Sequence, residues 1–218
     1  MTVLQSTVTR AKPGRRHEAI AIWLEVARMF EHHGATNNRF LTAQAAGRGT
    51  GFDVFTSRFD NLEAWGDFTD GLSADAELEA LLEGISGENS PIVMESMSIG
   101  SEIPLGRSGP MEPGKVVEAI ISRPSPGRFE AALRLTVMVF DFVENNGATA
   151  CRLMQLNNAG SLSGCLVTSW ELPTMKAVGR LGDVSGGDPA GQQILGVLTA
   201  VNAPIVTVSS GIYVETEI

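Results

Sequence analysis

Three histidines and two cysteines are the side chains in this sequence best suited to metal binding or nucleophilic catalysis. His17, His32 and His33 all fall in the first half, and the chain has no His-x-x-x-His or Cys-x-x-Cys spacing of the kind that binds metals. Cys151 and Cys165 fall in the second half, where no histidine is present to act as their base. The sequence therefore predicts no metal site and no cofactor, and it predicts two free, buried thiols.

Two glycine-rich stretches could bind phosphate, but neither has the required context. Residues 47–51 link two predicted strands and do not open a helix, so they are not a dinucleotide-binding fingerprint. Residues 185–187 fall between two predicted helical pieces and are predicted to form a flexible loop. The sequence also lacks a Walker motif, a serine-centred nucleophile elbow and a paired-carboxylate signature. Without an evident general base, binding is favoured over catalysis, and whether the protein is an enzyme is left open.

A repeat with a shift of 113 residues organises the chain. Gly34-Ala35-Thr36 returns as Gly147-Ala148-Thr149, and Pro13-Gly14-Arg15 returns as Pro126-Gly127-Arg128. The repeat predicts unit one over residues 1–103 and unit two over residues 115–218. Between them, residues 104–114 contain three prolines and three glycines and are predicted to be a linker.

Each unit is predicted to follow the order strand, helix, strand, strand, helix, strand. Apolar residues at three- and four-residue steps predict the first helix over 15–33, and Gly34 is predicted to end it in the left-handed conformation. The other elements predicted in unit one are strands over 2–10, 36–45, 51–59 and 91–103 and helical pieces over 62–69 and 74–84. Those predicted in unit two are strands over 115–123, 149–157, 164–172 and 205–214 and helices over 128–146, 175–181 and 190–198. The fold class is α+β, with antiparallel sheets built from two tandem ferredoxin-like βαββαβ units.

Composition limits the classes of partner. The net charge of −9 disfavours nucleic acid and anionic membrane surfaces, because both need a basic footprint. A hydrophobic content of 43% is typical of a globular protein. No apolar run approaches the roughly 18 residues of a membrane span, and the amino terminus reads as a strand and not as a leader. We therefore expect a cytoplasmic location, where disulfides are rare.

Three segments carry a resemblance to the dimeric α/β-barrel superfamily. They are Pro13-Gly14-Arg15, Gly34-Ala35-Thr36 and the strand-to-helix junction at residues 59–65, Phe-Asp-Asn-Leu-Glu-Ala-Trp. This superfamily includes antibiotic-biosynthesis monooxygenases, NIPSNAP and EthD-type proteins, and stress-responsive barrel proteins. The resemblance implies an intrachain pseudo-dimeric α/β barrel, in which two four-stranded sheets meet face to face and helices cover the outside.

The resemblance also implies one cleft per unit, between sheet and helices, where relatives hold small, often aromatic or polyketide-like, ligands. Haem-binding relatives use an axial histidine, and unit two has none. If one site is present, unit one is the better candidate. Its predicted lining is Asn38, Phe40, Phe55, Trp65 and Phe68, a mostly apolar cleft with one polar anchor. The alternative for Trp65 and Phe68 is that both simply fill the gap between helix and sheet.

Charged residues recur at equivalent positions of the two units. The three pairs are Arg39 with Arg152, Glu102 with Glu215, and Arg10 with Arg123. They predict ion pairs at the interface between the units. The alternative is an anchor for an anionic ligand, for which the planar guanidinium of Arg39 is well suited.

The first helix of unit two is apolar on all sides. Leu133, Val137 and Phe140 match the core stripe of unit one, whereas a second set lies on the opposite side. A helix of this kind must be covered on both sides, either by the other unit or by a second chain. A homodimer contact is predicted through the second set, which comprises Leu135, Met138, Val139 and Phe142.

Two functional hypotheses remain. The first is a protein that binds a small, mainly apolar organic ligand, with cofactor-independent monooxygenase-like chemistry as its catalytic form. In that form Asn38, Trp65 and an arginine are the first residues to test. The second is a non-catalytic structural or stress-associated barrel whose clefts are filled by its own side chains.

Overall fold

The computed structural model describes residues 1–107 and 109–216, and within them it contains eight strands and six helices. Unit one comprises β1 (Val3–Ala11), α1 (Arg16–His32), β2 (Thr36–Ala45), β3 (Asp53–Phe59), α2 (Leu62–Ser73), α3 (Ala76–Ser86) and β4 (Ile92–Glu102). Unit two comprises β5 (Val116–Pro124), α4 (Phe129–Asn145), β6 (Thr149–Asn158), β7 (Leu166–Leu172), α5 (Met175–Gly187), α6 (Pro189–Thr199) and β8 (Ile205–Thr216). The predicted element order is confirmed, and β5 begins 113 residues after β1.

Two helices are longer than predicted. The α2 helix continues to Ser73, because Phe68 and Leu72 extend its apolar face over the core of unit one. The α5 helix continues to Gly187, so the prediction of a flexible loop at residues 185–187 was wrong. The side chain of Ser185 donates to the carbonyl of Leu181 at 2.7 Å, within the last turns of α5. Asp188 then caps the next helix by accepting from the backbone N–H of Ala190.

The eight strands form one closed antiparallel barrel in the order β1-β3-β2-β8-β5-β7-β6-β4. Each unit contributes one four-stranded sheet, β4-β1-β3-β2 or β8-β5-β7-β6. The sheets join edge to edge twice, where β2 pairs with β8 and where β4 pairs with β6 from Ile99 to Glu102. This arrangement confirms the pseudo-dimeric barrel, and closure leaves one face of every strand directed to the interior.

A bulge in β2 sets which side chains enter the barrel. Asn37 and its counterpart Ala150 have positive φ angles of 48° and 50°, which non-glycine residues seldom adopt. The pairing of β2 with β3 shifts register between Thr36 and Arg39 at this point. After the shift Arg39 lines the barrel interior, whereas Asn38 donates to a backbone carbonyl of α1.

The helices cover the outer faces of the sheets and enclose two separate hydrophobic cores. Trp23 and Phe30 of α1 pack on Phe55 of β3, and each buried aromatic of this size contributes roughly 1.5–3 kcal/mol. Gly34 follows α1 with φ +94°, which confirms the predicted left-handed residue after the helix. Within the described residues, no helix has the length and apolar character that crossing a membrane requires.

The chain itself covers much of the second apolar side of α4. Leu135 and Phe142 are 2% and 8% exposed and belong to the core of unit two. Leu105, in the interunit segment (residues 104–114, the predicted linker), packs against this core. Arg107 of the same segment binds the carboxylates of Asp141 and Glu144 on α4. Met138 and Val139 remain half-buried, so the predicted homodimer surface is narrower than the sequence suggested.

Candidate functional site

The aromatic residues predicted to line a cleft in unit one pack against one another. Phe40, Phe55 and Phe68 are at most 2% exposed. Trp23 stacks on Phe55 with ring centroids 4.7 Å apart, and Phe30 meets Phe68 edge-on at 4.8 Å. These rings fill the space between α1, α2 and the sheet.

The two polar residues predicted for this cleft have partners within the chain. Asn38 donates to the carbonyl of Ala27 at 3.1 Å and accepts from the hydroxyl of Ser57 at 2.7 Å. Trp65 donates its indole N–H to Gln5 at 2.8 Å. The indole nitrogen of Trp23, in contrast, is buried without an acceptor in the described part of the chain. A ligand-binding role for this cluster stays a prediction, and the Trp23 nitrogen is the group there that lacks a partner.

None of the histidines lies in the aromatic core of unit one. His17 and His32 are exposed, and His33 is half-buried with its Nε2 atom 2.8 Å from a carboxylate oxygen of Asp75. The histidine contact lowers the pKa of Asp75, with help from the N–H groups of Leu78 and Glu77. These residues do not fit the axial ligation of a haem in the space between helices and sheet.

The barrel interior contains a cavity of about 240 Å³ between the two sheets. Apolar side chains from β1, β2, β5 and β6 line it, and side chains with hydroxyl groups interrupt this surface. The apolar examples are Leu4, Leu41, Val117 and Met154, and the hydroxyl examples are Ser6, Thr56, Ser98 and Ser169. An engineered cavity of roughly 150 Å³ accommodates benzene, so this volume suits a ligand of one or two rings.

Tyr213, the single tyrosine of the chain, makes the cavity asymmetric. Its ring lies across Gly211, where a Cβ atom would come within 2.8 Å of the ring. Its hydroxyl makes no hydrogen bond to the described residues, and burial raises its pKa, which keeps it a neutral donor. Gly100 occupies the equivalent position of unit one, so no second ring fills the volume beside Ser98.

The cavity reaches solvent where β4 and β6 separate. The two strands pair only up to Ile99 and Asn158, and the cavity lining continues beyond this point through Ser96 and Met97. Met97 is 56% exposed, so this end of the cavity lining lies at the protein surface.

Buried ion pairs join the two units beside the cavity. Arg39 of unit one binds Glu171 at 2.5 Å and Glu215 through two contacts of 2.9 and 2.8 Å. These two carboxylates also accept the backbone N–H groups of Glu112 and Gly114 and so fasten the interunit segment. Burial opposes the charge of Arg39, but its contacts to both carboxylates outweigh burial and raise its pKa.

The equivalent cluster around Arg152 contains two arginines and one glutamate, whereas the cluster around Arg39 contains one arginine and two glutamates. Arg152 of unit two binds Glu102 of unit one at 2.8 Å and the carbonyl of Gly109 at 2.7 Å. Arg58 approaches the other oxygen of Glu102 at 3.7 Å. The Nε atom of Arg152 is buried with no hydrogen-bond partner in the described chain. The ion pairs predicted between Arg39, Arg152, Glu102 and Glu215 are thus confirmed.

Among the described residues, Arg10 and Arg123, which occupy equivalent positions in the two units, do not form ion pairs between the units. Arg10 binds Glu95 at 3.1 Å within unit one, and Arg123 donates to the carbonyl of Ser161 within unit two. Both arginines are exposed near strand ends, where partners from the same unit are closer.

Three titratable side chains of unit two, two thiols and one carboxyl, lie away from the cavity. Cys151 and Cys165 are free and buried, as predicted. Burial, followed by the charge of Glu144, raises the pKa of Cys151 to about 12, so its thiol is not a ready nucleophile. Burial also raises the pKa of Glu118, which accepts from the indole of Trp170 at 3.2 Å.

A second concavity is an open groove of about 490 Å³ between α4 and α6. Met138, Val197 and Arg134 contribute to its walls. Because the groove is open, it would leave much of a small ligand in water, whereas ligand sites enclose most of the ligand surface. The smaller barrel cavity is therefore the better candidate.

Sequence reasoning placed Arg39 at a site but missed the other residues of the cavity. The repeat already showed that Arg58 corresponds to Glu171 and that Gly100 corresponds to Tyr213. The first difference changes the charge and the second changes the side-chain volume at equivalent positions of the two units. These differences are the sequence signals that could have shown that the barrel interior is asymmetric.

Comparisons with known proteins find similar folds among solved structures. No family model and no curated protein sequence matches the chain. Among solved structures, an anthrone oxidase-like protein is similar with a TM-score of 0.66 and 12% identity, over 99% of this chain and 91% of that protein. A mutant chlorite dismutase from Candidatus Nitrospira defluvii in complex with cyanide has a TM-score of 0.59 and 9% identity, over 99% and 91% of the two chains.

A proposed monooxygenase from Fusobacterium nucleatum has a TM-score of 0.58 and 8% identity, over 98% of this chain and 92% of that protein. At these identities the likeness concerns the fold alone. The chain therefore has the fold of a dimeric α/β barrel, with its two ferredoxin-like units in one polypeptide.

Proposed function

We propose that this protein binds one small, mainly apolar organic molecule inside its barrel. The observation that carries the proposal is the cavity of about 240 Å³, which combines apolar walls with a few inward hydroxyl groups. Such a combination is usual in small-molecule sites, because the apolar walls supply affinity and the polar groups fix orientation. The Tyr213 hydroxyl, which makes no hydrogen bond to the described residues, is a hydrogen-bond donor available to the ligand.

The catalytic form of this proposal is a cofactor-independent monooxygenase-like reaction. The likeness to an anthrone oxidase-like protein and to a proposed monooxygenase is compatible with it, but only through the fold. The alternative is a non-catalytic structural or stress-associated barrel. Side chains that fill both spaces between helices and sheets favour that alternative, whereas the barrel cavity favours ligand binding.

The experiment is a thermal-shift screen of aromatic, quinone and fatty-acid compounds, because a ligand that binds the native state raises the melting temperature by mass action. Hits are repeated on Ser98→Phe, which fills the cavity beside Gly100, and on Trp65→Ala, which changes the aromatic cluster of unit one. We expect Ser98→Phe to abolish the shift and Trp65→Ala to preserve it. The reverse pattern would assign the ligand to the cluster around Trp23, and no shift with any compound would favour the non-catalytic barrel.

A second proposal concerns self-association. Met138 and Val139 on α4 are half-buried, and the groove beside them is open. A second copy seated on α4 would cover both side chains. Light scattering at micromolar concentration tests this homodimer, and a monomeric mass would refute it. We also retain the cytoplasmic location as a proposal, supported by two free, buried cysteines.

A further inference from the structure

The charged residues that line the barrel cavity are mainly cationic. They are Arg39, Arg58, Arg152 and Glu102, three arginines with one glutamate. Glu171 and Glu215, which bind Arg39, are not among the lining residues. Because Arg39 is paired with both of those carboxylates, the local excess of positive charge lies at the end of the cavity with Arg58 and Arg152, in a protein whose net charge is −9.

The excess arises from one exchange between the two units. Glu171 in β7 gives Arg39 a second carboxylate, so that cluster contains one arginine and two glutamates. The equivalent position in β3 is Arg58, so the other cluster contains two arginines around Glu102. In formal charge the first cluster is −1 and the second is +1. Because a charge in a low-dielectric site is costly without a partner, the second cluster favours an additional anion.

The hydrogen-bond pattern shows where that anion could bind. The side chain of Arg58 is 30% exposed, and one of its terminal nitrogens donates to the hydroxyl of Thr2 at 3.1 Å. Its Nε and its other terminal nitrogen have no hydrogen-bond partners among the described residues. Arg152 is 8% exposed, and its Nε atom is buried and unpaired in the part of the chain that the structure describes. Two guanidinium groups that meet at one carboxylate thus keep unused donors.

We propose that the barrel cavity is specific for a small organic carboxylate, whose charged group binds Arg58 beside the Arg152–Glu102 pair while its apolar body occupies the volume opposite Tyr213. The proposal rests on the proposed function, because it names the ligand class of the same cavity. Arginine suits this role, since its planar donors match both oxygens of a carboxylate. Unit two has Glu171 at the position equivalent to Arg58, so each barrel has one such carboxylate site. The single site fixes the direction in which the ligand lies.

The test compares 2-naphthoate with 2-naphthamide, which have the same body but differ in charge, by titration calorimetry. We expect the wild-type protein to bind naphthoate about tenfold or more tightly than naphthamide, as a charge-assisted hydrogen bond predicts. Arg58→Gln should remove this preference and leave the affinity for naphthamide within about twofold. Arg58→Lys, which keeps the charge, should retain part of the preference. Arg28→Gln, on the outer surface of α1 at 70% exposure, should leave it unchanged.

The outcomes separate this inference from the proposed function. If both compounds bind equally well, the carboxylate specificity is refuted while the apolar site stands. The specificity is also refuted if Arg58→Gln keeps the preference for naphthoate. If neither compound binds and no other compound of the screen does, the proposed function fails and the inference fails with it. Melting temperatures without ligand identify a variant that does not fold, in which case the Arg58→Lys comparison decides.

Discussion

Replacing Arg39 with methionine tests the ion pairs that join the two units. Arg39 makes three contacts of 2.5, 2.9 and 2.8 Å with Glu171 and Glu215, and the three side chains are 6%, 3% and 8% exposed. Each contact to a charged group is worth about 1.5–3 kcal/mol in isolation, but desolvation of the three charges offsets most of this sum. The larger effect of the substitution is that two buried carboxylates lose their cation. Removing one partner of a buried ion pair costs about 3–5 kcal/mol, so we expect Arg39→Met to lose about that much stability at pH 7.

Urea unfolding followed by tryptophan fluorescence measures this loss. Arg28→Met is the matched control: Arg28 pairs with Glu25 on the surface, at 70% and 44% exposure, and its loss should be about 0–1 kcal/mol. Adding Glu171→Gln and Glu215→Gln to Arg39→Met should recover at least half of the lost stability. A loss below about 1 kcal/mol for Arg39→Met, or no recovery of stability when both glutamates are also replaced by glutamine, would refute this reasoning.

Three further predictions concern the interior of each unit. Phe55→Ala should lose about 3–5 kcal/mol of stability in urea unfolding, because the ring is 1% exposed and stacks on Trp23. A loss no greater than that of Phe129→Ala, at 36% exposure, would contradict its core role. Burial raises the pKa of Glu118, so the folded state loses stability as this carboxyl ionises with rising pH. Glu118→Gln should therefore make the stability of the protein depend less on pH between acidic and neutral values. An unchanged dependence of stability on pH would argue against this. Cys151 should react with iodoacetamide only after unfolding, since its thiol is buried with a pKa of about 12, and rapid alkylation of the native protein would contradict its burial.

The fold was predictable because local and repeated signals agree. The apolar steps of α1 and the glycine after it predict a helix with its end, and the shift of 113 residues transfers this assignment to α4, whose own composition is ambiguous. Successive side chains of a strand point to opposite faces of the sheet, so Phe40 and Arg39 of β2 lie on different faces. Phe40 lies with Asn38 on the face covered by α1, as the shared predicted lining of these two residues implied.

The site was not predictable in the same way, because it depends on contacts between distant strands. Whether Arg39 lies in a cleft or in a barrel is decided by the pairing of β2 with β8, which are far apart in sequence. The volume of the cavity depends on the Tyr213 ring over Gly211, and a pattern of residue types does not report volume. The aromatic residues of unit one have the composition of a ligand cleft, and residue types do not report how closely their rings pack against one another.

The most direct test is a crystal structure of the protein with 6-bromo-2-naphthoate, in which the anomalous signal locates the bromine atom. We predict one bromine peak inside the barrel, in the volume beside Ser98 and opposite Tyr213, with the carboxylate of the ligand bound by Arg58. A peak among Trp23, Phe40 and Phe55 of unit one, or in the groove between α4 and α6, would contradict an interior site.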